Sequence, residues 1–357
     1  MKRIGAVCLF LFLLATVFGV LCLHLETKRQ AAEKQAVQPE TNSLLIYSQW
    51  PQGMAPILTE VAKEKLGVSV VIREMTADEM KTAIREGKRA QIYLASQRVL
   101  MDLEEAGELS PHVSGATDTV LSDFKDADHF WTGVWMNPVV FAVNAGFEKQ
   151  NPDFLYSWND VWQRRNVRLV MLDSSATEFS MDSLMAMVEH YGTDEAYRLL
   201  TAASSHVVQY AEFLSTPAQM AAMDKCDIGI SGYREAKKLA DDGLPIRWIY
   251  PEDGTWCFLY GAAPDKDAGE EAAAFLDWLL TDGGQDARWQ KAGYDFMQVN
   301  AEGLPEDAHR RRPEFWSLLK RYTESGQKTL VERWIRSVRF GMVDMTEPGD
   351  KETEKTE

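Results

Sequence analysis

The stretch that decides the fold is "SLLIYSQWPQGMAPILTEVAKEKLGVSVVIRE", residues 43–74. "SLLIYS" (43–48) is an apolar run of strand length. "MAPILTEVAKEKLG" (54–67) then places its apolar residues at helical spacing and stops at Gly67. A glycine just past the last periodic residue ends helices, because it enters the left-handed region without steric cost. "VSVVIRE" resumes as a second strand. Strand, helix and strand in that order build a parallel pair. Parallel strands are covered on both faces, so they read as apolar runs rather than alternations.

The pattern continues outward. "ADEMKTAIREGK" is helical, "AQIYLAS" a strand, "RVLMDLEEAG" a helix ending at Gly107, and "NPVVFAVN" (137–144) a strand. "SWNDVWQRR" is a short helix capped by Ser157, and "VRLVML" a strand. "SLMAMVEHYG" and "DEAYRLLTAA" are helices, "CDIGIS" a strand and "YREAKKLADDG" a helix. "PIRWIYPEDGTWCFLYGAA" carries one or two strands and "GEEAAAFLDWLLTDGGQDARWQKAG" a pair of helices. "PEFWSLLKRYTESGQKTLVERWIRSVR" closes the fold with amphipathic helices. Such alternation is the mark of an α/β protein with mainly parallel sheets flanked by helices. It is long for one sheet, so two α/β lobes joined by crossing strands are expected.

Both ends differ in character. Met1-Lys2-Arg3 is basic, and Ile4 to Leu23 are 20 residues without a charge. That length crosses a bilayer core as a helix and also has the shape of a secretory signal. A small-x-small cleavage site is not evident, and Leu21 before Cys22 departs from the lipoprotein pattern. An anchor at residues 4–23 is therefore expected, with the bulk of the chain exported to the periplasmic or extracellular face. Residues 24–42 are polar and form a tether, and the acidic residues 346–357 form a disordered tail.

Composition narrows the function. The 357 residues are 45% hydrophobic and 26% charged, enough for two lobes that each bury a core. The net charge of −16 argues against a nucleic-acid partner, which needs a basic face. It leaves an anionic small ligand open, because a local pocket can oppose the global sign. Outside the N-terminal segment the only cysteines are Cys226 and Cys257. A bridge between them is chemically allowed, and buried free thiols are the simpler reading of their apolar surroundings. There is no phosphate loop, no G-x-G-x-x-G and no H-E-x-x-H, and the six histidines are scattered. "GISGY" around Ser231 lacks the second glycine of a nucleophile elbow. The pairs Glu104-Glu105 and Asp241-Asp242 read as solvated charge. No constellation compels an enzyme, a metal or a cofactor.

The order of segments resembles the extracellular solute-binding proteins of ABC importers, in the branch with ferric-, phosphonate- and sugar-phosphate-binding members. Residues 43–74 resemble that family's opening, and "FWTGVWMNPVVFAVN" its Trp-Thr-Gly segment and first crossing strand. "YSWNDVW" resembles its Ser-Trp helix and "LVMLDSSATEFS" its serine-rich anion loop. "DIGISGYREAKKLADDGLPIRWIYPEDGT" resembles the return to the first lobe, and "EEAAAFLDWLLTDGGQ" a late helix. The resemblance covers about residues 43–300 and implies a two-lobed type II periplasmic-binding-protein fold. Residues 43–140 plus 256–345 would form lobe 1 and 141–255 lobe 2, closing by hinge bending around a ligand.

With that architecture, candidate ligand contacts follow. Ser174, Ser175 and Thr177 stand at a strand-to-helix junction, where unpaired N–H groups and the helix dipole favour an anion. A plain helix cap is the competing reading. Ser48, Gln49 and Trp50 follow the first strand and Ser96 the third, at the sheet edge where ligands of open α/β sheets sit. Trp131 and Thr132 precede the crossing strand, Ser231 and Tyr233 follow "DIGI", and Trp256 lies on the return segment. Ferric relatives place adjacent tyrosines near Ser231-Gly232-Tyr233, and here only Tyr233 is present. The resemblance implies a monomeric, non-enzymatic protein that captures a small anionic organic solute (phosphonate, sugar phosphate or carboxylate) for ABC permease subunits. A ferric carrier and a membrane-anchored sensor are the alternatives.

Overall fold

Strand β1 (Ser43–Ser48) lies parallel between β2 (Ser69–Glu74) and β3 (Ile92–Ser96), with Ile46 opposite both Ile72 and Ile92. The connection to β2 is α1 (Met54–Leu66), which ends where Gly67 turns to φ 68° and returns its N–H to the Lys63 carbonyl. The connection to β3 is α2 (Ala77–Arg85), opened by reciprocal capping between Thr76 and Glu79. Helix α3 (Gln97–Glu105) leaves directly from the end of β3. The computed structural model describes residues 43–300, 304–316 and 322–341. The expected anchor (4–23), tether (24–42) and tail (346–357) lie outside the described residues.

The chain then forms β4 (Thr132–Asn144), α4 (Trp158–Gln163), β5 (Leu169–Leu172), α5 (Glu178–Tyr191), α6 (Thr193–Ser204) and β6 (Val207–Ala211). It continues through α7 (Thr216–Ala222), β7 (Ile228–Gly232), α8 (Tyr233–Asp241), β8 (Ile246–Ile249) and β9 (Cys257–Pro264). It closes with α9 (Glu270–Trp278), α10 (Ala287–Lys291), β10 (Met297–Gln298) and α11 (Glu324–Trp334). The strand order is β2-β1-β3-β9-β4-β7-β5-β6, with β8 and β10 also paired to β4.

Strand β4 is the crossing strand, and all thirteen of its residues are buried. Its first half, to Pro138, runs antiparallel to β9, and its second half, from Val139, pairs with β7 and β8. Sequence patterning starts the strand at Asn137, whereas the ladder already begins at Thr132. The handover is pinned by the Val139 N–H on the Trp256 carbonyl (3.0 Å) and by the Thr255 hydroxyl on the Val139 carbonyl (2.8 Å). The result is two parallel-sheet lobes joined through antiparallel crossing strands.

Tryptophans organise both cores. Under the first sheet half, Trp50 packs on Trp135 (centroids 4.8 Å apart) and Trp135 on Trp289 (5.1 Å). Under the second, Trp158 stacks between Trp162 (5.1 Å) and Trp256 (5.2 Å). Cys226 and Cys257 are buried free thiols. Helix α11 lies over α5 and α6, with Trp334 edge-on to Tyr210 and Arg333 over the Tyr197 ring. Residues 314–316 are extended rather than helical, because the Thr255 N–H donates to the Glu314 carbonyl (2.9 Å) and the Thr255 carbonyl accepts from the Trp316 N–H (2.7 Å). Strand β6, half-exposed at the sheet edge, and α7 carry too little apolar pattern to be read from sequence.

Helix α7 approaches β7 so closely that a Cβ at Gly229 would sit 2.2 Å from the Pro217 carbonyl oxygen. Gly229→Ala should therefore destabilise the protein by about 1–3 kcal/mol or more, the usual cost of overpacking. Urea unfolding checks this, and wild-type stability in the variant would contradict the contact.

Candidate functional site

Strands of a parallel sheet end where the following helices begin, so chain turns and helix N-termini gather at one edge. At that edge β1 delivers Gln49, whose backbone N–H is held by the Leu94 carbonyl at 2.8 Å. The Gln49 side-chain oxygen accepts from the Ser96 N–H (3.2 Å), which aims its amide nitrogen across the cleft. That nitrogen donates to Oε2 of Glu178 at 2.6 Å. The Ser96 hydroxyl donates to Oε1 of the same carboxylate at 2.5 Å. Arg98, in the first turn of α3, adds Nη2 at 3.1 Å from that Oε1 and donates through Nη1 to Gln327 at 2.6 Å. Two hydrogen-bond donors and the Arg98 charge from one lobe thus converge on a carboxylate from the first helical residue of α5 in the other.

Asp182 lies one turn further along α5, on the same face as Glu178. Arg98 Nη2 stands 3.2 Å from its Oδ1, yet that oxygen has no hydrogen-bond partner, so the contact is charge proximity without bond geometry. Burial pushes the Asp182 carboxyl up to about 8, with Arg98 opposing and the Glu178 charge adding. Burial thus disfavours the charged form of Asp182, which leaves Glu178 as the better partner for the guanidinium.

A run of aromatic rings lies beside the start of α5. Phe179 meets Phe258 (5.8 Å), Phe258 meets Tyr260 (5.0 Å), and Tyr260 meets Phe296 (4.5 Å). The Arg234 guanidinium lies 4.9 Å over the Phe296 ring and pairs with Glu235 at 3.0 Å. Asn137, on the crossing strand, accepts from the Arg234 N–H and donates to Glu235, both at 3.0 Å. The Tyr260 phenol is raised first by burial and then by Glu235, with Arg234 opposing and Glu178 adding, which puts the ring within the field of both charged groups.

Of the sequence candidates, Gln49 and Ser96 converge in this cleft. Ser48 accepts the Trp50 N–H (3.2 Å), and Trp50 itself is core. Ser175 is exposed, and its hydroxyl (2.5 Å) and N–H (2.9 Å) both serve the Asp173 carboxylate. Thr177 caps α5 in a reciprocal pair with Ser180. Ser174 lines a mainly apolar cavity beneath α5 with Phe179, Leu184, Trp162 and Trp256. Ser231 donates to the Leu214 carbonyl (3.3 Å), and Tyr233 packs edge-on against Trp248. Trp131 donates to Glu104 (3.3 Å), and Thr132 pairs with Ala262 in the ladder. Sequence reading missed Arg98, Asn137, Glu178 and Asp182. The Glu178–Asp182 spacing of four, on the helix after the serine-rich loop, was the available signal. Among the described residues no group of three or more His, Cys, Asp or Glu side chains is placed to hold a metal ion, and no helix is long and apolar enough to cross a membrane.

The raised Asp182 carboxyl has a consequence for stability. Between its ordinary value of 3.8 and about 8, the folded chain holds a proton that the unfolded chain releases. Stability from this group is therefore complete below 3.8 and is lost as pH rises through about 8. Asp182→Asn should match wild type near pH 4 and melt progressively higher than wild type as pH rises toward 8. Melting curves across that range check it, and a constant difference at all pH values would contradict it.

Comparison with known proteins agrees with this fold. A curated protein of Haemophilus influenzae, itself uncharacterised, is 24% identical over 254 residues, covering 66% of this chain and 72% of its own. The periplasmic binding protein AfuA from Actinobacillus pleuropneumoniae, with fructose-6-phosphate bound, is 19% identical with a TM-score of 0.64, over 84% of this chain and 99% of its own. Iron-bound HitA from Pseudomonas aeruginosa is 17% identical with a TM-score of 0.62, over 85% and 100%. Residues 49–295 match the profile of the bacterial extracellular solute-binding proteins. The chain belongs to that family: it is the solute-binding component of an ABC importer, working on the periplasmic or extracellular side with membrane permease partners, and not an enzyme.

Proposed function

We propose that the solute is a small organic anion, held between Gln49, Ser96 and Arg98 on one lobe and the start of α5 on the other. The observation that carries this is the donor set itself. An amide, a hydroxyl and a guanidinium meet at one point, and the group they hold there is a carboxylate. Charge-assisted bonds of this kind are roughly twice as strong as neutral ones. They also explain how a chain of net charge −16 can present an anion-receptive point. The Phe258–Tyr260–Phe296 ledge offers an apolar surface for the carbon part of such a solute. The sugar phosphate in the AfuA structure is consistent with this class. The protein works as a monomer, tethered through residues 4–23.

An iron cargo fits less well. A hard trivalent ion wants several anionic oxygen ligands. Tyr233 is buried against Trp248, and burial raises its phenol, so it is a poor source of phenolate.

Calorimetry of the purified full chain with fructose 6-phosphate, a phosphonate and a carboxylate tests the anion reading. Ser96→Ala should weaken the best of them by about ten- to a hundredfold, because a hydrogen bond to a charged group contributes roughly 1.5–3 kcal/mol. No binding of any of the three, together with a visible tyrosinate band on adding ferric citrate, would favour iron instead. Fractionation tests the tether: the protein should stay with membranes through an alkaline wash, and recovery in the soluble fraction would contradict it.

A further inference from the structure

The donors that the proposed reading assigns to a solute are held by the chain itself. Gln49, Ser96 and Arg98 all end on Glu178, which belongs to the opposite lobe. An arriving anion cannot share that set. A second negative charge beside Glu178 would be repelled, and the groups that could offset it already end on Glu178. The solute's anionic group and the Glu178 carboxylate are therefore alternatives.

We propose that Glu178 is a built-in competitor, a tethered stand-in for the solute's anionic group that holds the lobes together and filters which anions displace it. This rests on the reading that Gln49, Ser96 and Arg98 contact the solute. A tethered group acts at an effective concentration of about millimolar or more. A free monocarboxylate offers those donors nothing that Glu178 does not, so at micromolar concentration it loses the exchange. A phosphate or phosphonate monoester carries more charge and three acceptor oxygens, and it can win. The filter thus selects phosphorylated or phosphonylated solutes over simple carboxylates.

The affinity measured for any anion is reduced by the fraction of molecules in which Glu178 holds the donors. If that fraction is about nine-tenths, removing the competitor raises affinity about tenfold. The test compares full-length wild type with Glu178→Gln, which keeps the shape and removes the charge, and with Glu178→Ala, which removes every contact. The probes are fructose 6-phosphate and gluconate. Wild type should bind the phosphate and show no measurable gluconate binding. Both variants should bind the phosphate about tenfold more tightly and gain measurable gluconate binding.

Hydrogen exchange without any added solute reads the lobe contact separately. Segments around Gln49–Arg98 and Thr177–Asp182 should exchange faster in both variants, while the melting transition stays cooperative. Unchanged exchange, or weaker phosphate binding in Glu178→Gln, would overturn the proposal, the latter by making Glu178 a solute contact. Gln49→Ala, which removes a partner on the other lobe, should speed exchange around Thr177–Asp182 in the same way. If neither anion binds wild type or variants, the anion reading fails, and the exchange result alone decides whether Glu178 holds the lobes.

Discussion

Everything at the cleft depends on one strand belonging to two sheets. Because β4 pairs with β9 before Pro138 and with β7 and β8 after it, neither lobe can move without turning about that handover. Complete burial of the strand makes local fraying costly, since each backbone group exposed would lose its partner. A bend between the lobes would have to fall near Val139 and Trp256, where the two crossing segments are joined by hydrogen bonds. Asn137 stands beside that bend and holds the start of α8 through Arg234 and Glu235. A Cβ at Gly232 would meet the Glu235 carboxylate at 2.4 Å and the Asn137 amide at 2.6 Å, so any larger residue there would displace both side chains. The hinge and one wall of the cleft are therefore built from the same few residues.

Charge within the cleft is arranged in local pairs rather than as a single field. Arg98 faces Glu178, and Arg234 faces Glu235. Each pair is half-buried, so its attraction is less screened than on the surface, and each positive charge is already engaged. On the proposed reading, a cleft paired in this way discriminates at contact, by exchange of one partner for another, rather than by attracting anions at long range as a bare basic patch would.

The scaffold was legible in the sequence because it follows from local rules. The apolar runs at 43–48 and 169–172, the Gly67 stop and the Ser157 cap each act within a few residues of chain. The site was half legible. Gln49 and Ser96 follow from strand ends alone. Arg98 and Glu178 each look like an ordinary surface charge on a helix, and only the meeting of two lobes brings them together. The serine-rich junction shows the converse. Its hydroxyls look like an anion pocket, yet Asp173 and Ser180 take up those of Ser175 and Thr177 locally. The position of α11 over α5 and α6 had no local signal, because an amphipathic face does not say which neighbour it will cover.

Glu178 has two roles that separate by magnitude. As an acidic residue in the first turn of α5, next to the Thr177 cap, it stabilises the helix through the dipole by about 0.3–1 kcal/mol, whatever the other lobe does. As the acceptor for Gln49 and Ser96 and the ion-pair partner of Arg98, it would, on the proposal above, also act on the equilibrium between lobe arrangements. The local term is small against the stability of a chain this size, so selection for helix formation alone would tolerate many residues there. Aspartate would serve the dipole as well, but its side chain is one methylene shorter and would fall short of donors now at 2.5–3.1 Å. The length of the side chain, not its charge alone, is what ties the start of α5 to the ends of β1 and β3.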